Sequence, residues 1–381
     1  MIPRSTAEAP RAALAQPGAA QRPIACVISS LSGGGAERIL SGLANRWARA
    51  GRPVTLITLD STQSDVYPLH PATGRVALGL LRPSRGWAEG LTQSARRVVA
   101  LRRALLRLRP AAVVSFMGAT NVLSLMATAR TGLPVFVCER TDPRAQREGG
   151  IWSMLRRALY PRAEGVVVQT ESLACWARSF CARVHVIPNF VELPSATAVP
   201  GARRGPRRLI SVGRLGPEKG FDLLIEAFAR VAPGHPDWSL VILGEGSERA
   251  RLTSLVDRLG LGPRVWMPGR VADPVPHLAA AHAFALSSRR EGFPNALLEA
   301  MACGLPTVAF DCQSGPAEII AHGRDGLLVQ AGDVAGFASA LDELMSNPAE
   351  RERLGRNARD IAVRLSPERV GLAWDALLEA R

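Results

Sequence analysis

A chain of 381 residues exceeds what one ordinary hydrophobic core accommodates and fits two α/β lobes. Apolar residues at 47% and charged residues at 21% are the balance of a soluble globular protein, and no run approaches the ~18 uncharged apolar residues of a membrane-spanning helix. The formal net charge of +14 resides in residues 1–200, where 25 Arg face 11 Asp and Glu, while residues 201–381 are neutral. The first half therefore calls for an anionic partner: phospholipid, nucleic acid or a phosphorylated substrate. Nucleic acid is disfavoured, because aromatic residues, needed between the arginines to stack on bases, are only 5% of the chain.

Residues 1–21, rich in Ala, Pro, Gln and Arg and lacking an apolar segment, are expected to form a disordered tail rather than a secretory signal. Short β-branched runs then alternate with helical periodicity. Strands are expected at 24–29, 54–59, 112–116, 135–138, 165–169 and 184–187, with helices between them, notably at 36–50 and 94–108. A second series has strands at 209–212, 239–243, 265–267, 283–286, 307–310 and 326–329. Its helices are expected at 221–231, 248–259, 295–303, 334–345 and 349–363. A Pro-, Ala-, Gly- and Arg-rich stretch separates the series, giving a first domain at 22–194, a linker at 195–207 and a second domain at 208–364. Residues 365–381 read as an amphipathic helix packing back on the first lobe. Two series of βα units make an α/β protein of two mostly parallel, doubly wound sheets. Ligands of such sheets bind beyond the carboxyl ends of the strands, which places a shared site in the cleft between lobes.

The six cysteines (Cys26, Cys138, Cys175, Cys181, Cys303, Cys312) form no CxxC pair and have no His at ligand spacing, so buried reduced thiols are expected and a reducing cytoplasm fits. Of 47 basic residues, only Lys219 is lysine. In a chain that spells nearly every positive charge as Arg, it marks a position suited to a compact ammonium, or else chance retention.

Three segments carry the chemistry. The strongest runs from Ser288 to Ala300. A strand ends at Leu286, a Gly/Pro loop follows, and a helix opens near Asn295, a favourable N-cap residue. The free N–H groups and positive dipole end of that helix make an anion site for a diphosphate. Glu291 and Glu299 flank it, and acceptor-only carboxylates suit pairs of sugar hydroxyls, so the two can hold the two sugars of a nucleotide sugar. A capped helix with solvent-facing Glu residues is the competing reading. The second segment is the glycine-rich turn Val212 to Gly220, where Arg214 and Lys219 converge to neutralise a diphosphate leaving group; a solvated surface turn is its competitor. The third, Ser32-Gly33-Gly34-Gly35-Ala36-Glu37-Arg38, lets a backbone and a helix N-terminus approach a ligand closely.

In combination with the interdomain Ile187-Pro188-Asn189, these segments resemble family four of the GT-B glycosyltransferases over about residues 22–380. The resemblance implies two Rossmann-like domains across a cleft and transfer with retention of anomeric configuration, without a metal. It implies that Arg214 and Lys219 bind the donor diphosphate, Glu291 the transferred sugar and Glu299 the ribose. Asn295, Ala296 and Leu297 would offer backbone contacts beside Phe293; Gly34 and Gly35 would approach the diphosphate, and Arg270 and Val271 would line the base pocket. More narrowly, the glycine segment with Glu139-Arg140-Thr141-Asp142 and Ser314-Gly315-Pro316-Ala317-Glu318 resembles bacterial transferases that build polyprenyl-diphosphate-linked oligosaccharides or exopolysaccharide repeats. Many of those use UDP-N-acetylhexosamines. Where many relatives carry a His after the strand at 135–138, this chain has Cys138-Glu139-Arg140, which makes Glu139 and Arg140 candidates for acceptor or sugar binding, with a buried ion pair as the alternative.

No cofactor is implied, only a nucleotide-sugar co-substrate, UDP-linked by that resemblance. No Asp-x-Asp segment of the kind that holds a metal on a diphosphate is present, and no His lies in a catalytic motif. The Arg-rich helix, through Arg96, Arg97, Arg102 and Arg103, is expected to meet an anionic membrane surface, or else to present a solvated face. A peripheral enzyme on the inner face of the cell membrane, taking a lipid-linked or glycan acceptor, follows. An epimerase of nucleotide sugars on the same fold and a non-catalytic homologue are the alternatives.

Overall fold

The computed structural model describes residues 22–82, 86–144, 150–192 and 206–380. The expected tail, and the expected linker as far as residue 205, lie outside them. The first lobe runs β1 (Ile24–Ile28), α1 (Gly35–Arg49), β2 (Val54–Thr58), β3 (Gly74–Ala77), α2 (Trp87–Leu108), β4 (Ala112–Phe116), α3 (Gly118–Thr128), β5 (Val135–Cys138), α4 (Gly150–Leu159), β6 (Gly165–Val168), α5 (Glu171–Arg178) and β7 (Val184–Val186). The second runs β8 (Arg207–Val212), α6 (Phe221–Val231), β9 (Trp238–Leu243), α7 (Arg249–Arg258), β10 (Val265–Gly269), α8 (Val275–Ala280), β11 (Ala283–Leu286), α9 (Asn295–Ala302), β12 (Thr307–Asp311), α10 (Pro316–Ile319), β13 (Leu327–Gln330), α11 (Val334–Ser346), α12 (Pro348–Ala358), α13 (Ile361–Arg364) and α14 (Pro367–Glu379).

Both sheets are parallel, ordered β3-β2-β1-β4-β5-β6-β7 and β10-β9-β8-β11-β12-β13. The central strands are buried on both faces and so read as continuous apolar runs, as in Ile24–Ile28. Strand order reverses between β1 and β4 and between β8 and β11, and at such switch points the loops part and leave a crevice. In the first lobe, α1 and α14 cover one face, whereas α2, α3, α4 and α5 cover the other. The buried side of α14 reaches the first lobe through Val370, Trp374 and Leu378; Trp374 meets Trp47 edge-on at 6.4 Å, and Asp375 accepts from Trp47 Nε1 at 2.8 Å.

Several expectations need correction. Strand β3 was not expected: its Gly-Arg-Val-Ala sequence is half exposed at the sheet edge and lacks an apolar run. Helix α2 begins at Trp87 rather than residue 94, because its apolar stripe continues past the part that packs. The helix expected at 349–363 is two, α12 and α13. Cys175 is exposed, on the outer side of α5, while the other five thiols are buried. No helix among the described residues is long and apolar enough to cross a membrane.

Candidate active site

The loops after β1, β8, β10 and β11 meet at a cavity of about 960 Å³ between the lobes. From the first lobe it is lined by Gly33, Gly34, Gly35, Arg38 and Tyr67; from the second by Arg214, Lys219, Arg270, Val271, Glu291, Phe293, Asn295, Ala296 and Glu299, among others.

The two motifs of the second lobe form one unit. Arg289 donates its backbone N–H to Glu218 O at 2.8 Å and its guanidinium to both carboxylate oxygens of Asp222, at 2.7 and 2.8 Å. Burial raises the Asp222 carboxyl, but the bonds from Arg289 and Arg251 outweigh it and hold the group at about 2. Gly220 carries φ 61°, and a Cβ there would lie 2.2 Å from Ser287 O, so only glycine lets the loop pass the turn. The result is that Lys219 Nζ reaches Glu291 Oε1 at 2.7 Å, with Ser288 Oγ donating to the same oxygen at 2.6 Å. Arg214 lines the cavity while its Nη2 lies 2.7 Å from Glu218 Oε1. It is largely exposed, so it is placed to exchange that partner for an anion in the cavity.

The start of α9 differs from the expectation. Pro294 holds the N-cap position and Asn295 is the first helical residue. The Asn295 side chain does not cap its helix. It accepts from Asn189 Nδ2 at 2.6 Å and donates to Gly35 O at 3.3 Å, crossing the cleft. Arg140 Nη1 donates to Asn189 Oδ1 at 2.8 Å, so a directional relay runs Arg140, Asn189, Asn295, Gly35. Asn295 and Ala296 line the cavity from the first turn of α9, where backbone N–H groups have no partner within the helix. Leu297, expected to offer its backbone, is buried in the core, and its N–H bonds Pro294 O at 3.1 Å.

Glu299 is buried and pairs with Arg38 of the first lobe. Burial raises its carboxyl above the ordinary range, with Arg38 opposing. Tyr67 donates to Gly34 O at 3.1 Å and thereby braces the glycine turn. Arg38 and Asn189 stand within segments quoted from the sequence, but neither was given a role there, and Tyr67 was not singled out at all.

Glu139 and Arg140 do not line the cavity. Glu139 is buried at the end of β5, 2.7 Å from Arg156 Nε, and accepts from the Tyr160 hydroxyl. Arg140 stacks 3.9 Å from the Phe116 ring centroid; burial lowers its guanidinium to about 10. Both are buried, and Arg140 connects through Asn189 to Asn295 of the cavity lining. On α2, Arg97 donates to Leu80 O and Arg82 O, and Arg102 to Ala127 O and Ala129 O. These two brace the helix, while Arg96 and Arg103 are exposed.

Residues 196–361 match the family Glycosyl transferases group 1, and residues 34–189 match the Glycosyl transferase 4-like domain. Over 260 residues the chain is 33% identical to an exopolysaccharide phosphotransferase of Streptomyces coelicolor, a match covering 67% of this chain but only 27% of that protein. It is 26% identical over 337 residues, 88% of this chain and 92% of the relative, to a Campylobacter jejuni α-1,4-N-acetyl-D-galactosaminyltransferase named for a diphospho-undecaprenol-linked acceptor. The structure of sucrose-phosphate synthase from Thermosynechococcus elongatus superposes with a TM-score of 0.82 at 22% identity, over 94% of this chain and 99% of that one, which is a likeness of fold.

Proposed function

The chain belongs to the group 1 and 4-like glycosyltransferases of GT-B architecture, and we propose that it moves a hexose or N-acetylhexosamine, with retention and without a metal, from a UDP-sugar to a lipid-linked or polysaccharide-precursor acceptor. The observation that carries this reading is the convergence of Arg214, Lys219, Glu291, Glu299, the glycine turn and the α9 terminus on one interlobe cavity.

The α9 N–H groups, Lys219 and Arg214 would hold the diphosphate and take up its charge as the bond to the anomeric carbon breaks. Glu299 would accept from ribose hydroxyls and Glu291 from the transferred sugar. Retention follows if the acceptor oxygen attacks from the face that the diphosphate leaves, its proton passing to the departing phosphate oxygen. Among the described residues none that lines the cavity is histidine, which favours the leaving group over a histidine base. The acceptor class is supported by the Campylobacter jejuni relative's undecaprenol-linked acceptor, and a lipid-linked acceptor would be met at a membrane surface, here taken as the inner face of the cell membrane.

Thermal-shift measurements against UDP, GDP, ADP and their sugar conjugates test the donor site. A selective rise with UDP and its conjugates is the expected result, and no rise with any nucleotide, from folded protein, would sink the reading.

A further inference from the structure

We infer that the cleft-side edge of the first lobe, built from the opening turns of α2 and α4, seats on an anionic phospholipid surface. In a parallel sheet every crossover helix starts at the carboxyl edge of the strands, so the first turns of α2, α3 and α4 all stand at the rim of the cleft. These three helices lie side by side on one face.

At about 100° per residue, Trp87 and Leu91 lie on the same side of α2 as the buried Leu101 and Leu105. The apolar stripe thus continues two turns beyond the part that packs. There Trp87 is 83% exposed and Leu91 57%. Helix α4 repeats the pattern independently. Trp152, Leu155 and Leu159 pack inward, while Ile151 and Met154, one turn apart, face out at 63% each. The two helices that flank α3 therefore each present an apolar pair in their opening turns.

The charge around these pairs selects the occupant. Arg96 lies between one and two turns from Leu91 along α2, Arg157 lies one turn from Met154 along α4, and Arg82 is held against Arg97; all three are exposed, whereas α2 has one carboxylate, Glu89, and α4 has none. The second lobe is neutral, and its exposed large apolar side chains, such as Leu259 and Trp266, stand apart. A second copy would bring two cationic faces together. Apolar tips on convex helix ends, ringed by arginine and including a tryptophan, suit a fluid anionic interface. The edge would place the cleft mouth at the lipid surface, which deepens the proposal of a lipid-linked acceptor.

The test is co-sedimentation of the full chain with vesicles of phosphatidylcholine alone or mixed equally with phosphatidylglycerol. Two variants remove the exposed pairs, Trp87→Ser with Leu91→Ser and Ile151→Ser with Met154→Ser; a third is Arg96→Gln with Arg157→Gln. The wild type should bind the anionic vesicles selectively, and each apolar pair should lower partition about tenfold or more. The arginine pair should lower partition most at low salt and make it less salt-dependent than in the wild type. Unchanged partition in both apolar pairs overturns the inference, as does equal binding to neutral vesicles. A change in oligomeric mass without a change in partition overturns it in favour of a second copy. The UDP thermal shift is read on the same samples: its absence in the wild type bears on the proposed donor alone and leaves the lipid result standing.

Discussion

The Lys219 ammonium lies 2.7 Å from the Glu291 carboxylate, one residue from the turn after β8 and the other from the loop after β11. Glu291 is only 8% exposed, so Lys219 both neutralises it and leaves donor capacity for an incoming phosphate. Lys219→Ala should therefore reduce turnover about 100-fold or more through lost phosphate stabilisation. The fold should persist, with a loss of about 1–3 kcal/mol from the unpaired carboxylate. Steady-state kinetics with urea unfolding checks both, and near-normal turnover would remove Lys219 from the mechanism.

That the second-lobe residues would meet at one cavity was legible because they are contiguous. Glu291, Asn295 and Glu299 follow one another through a loop into α9, and Arg214 and Lys219 share a single turn, so strand ends and glycines sufficed to place them. What was not legible depends on long-range packing. Glu139 and Arg140 follow β5 as a charged pair that fits a cleft wall equally well. Only the arrival of Arg156 and Tyr160 from the α4 side, and of Asn189 from the end of the first lobe, makes them buried. Arg38 meets Glu299 across 261 residues, a partnership that no local periodicity announces. The early start of α2 was missed for a related reason: a stripe extending beyond its packing partner carries weaker helical signal than one completed by burial.

Glu299 should make nucleotide binding sensitive to acid. Its carboxyl is raised by burial, and in the proposed donor complex the ionised form is the one that would accept ribose hydroxyls. UDP affinity should thus begin to fall, as pH drops, above the ordinary carboxylate range. Removing Arg38, which opposes the rise, should move that acid limb to higher pH in Arg38→Ala. Glu299→Gln should weaken binding and flatten the limb. The sign for stability is opposite: a raised folded-state value favours folding at low pH, and that contribution is lost as pH rises through it. Calorimetric UDP titrations across pH distinguish these cases, and an unmoved limb in Arg38→Ala would separate Arg38 from Glu299 in function.

The amide relay should couple the lobes. Asn189 donates to Asn295 Oδ1 only because Arg140 occupies its own oxygen. Asn189→Asp keeps the Arg140 bond but places acceptor against acceptor at Asn295, whereas Asn189→Ala removes both. Each should lower kcat more than it weakens UDP binding, since the relay joins α9 to the glycine turn across the cleft. A double-mutant cycle with Asn295→Ala should return a coupling of about 1 kcal/mol. Strict additivity would show that the two amides act separately.

Asp222 links the loop that carries Glu291 to acid stability. Its carboxyl, held at about 2 by Arg289 and Arg251 against the effect of burial, has an ordinary value of 3.8. A depressed folded-state value contributes stability that is present above the ordinary value and lost as pH falls from there toward about 2. Wild type and Asp222→Asn should accordingly differ in urea midpoint near neutral pH and converge within that window. Because Arg289 donates its backbone N–H to Glu218 and its side chain to Asp222, releasing the guanidinium loosens the loop that carries Ser288 and Glu291. Turnover in Asp222→Asn should fall with little change in the pH at which UDP affinity declines, because Glu299, on the helix after that loop, keeps its own partner in Arg38. A matching shift in the UDP acid limb would instead mean that loop and helix respond as one rigid piece.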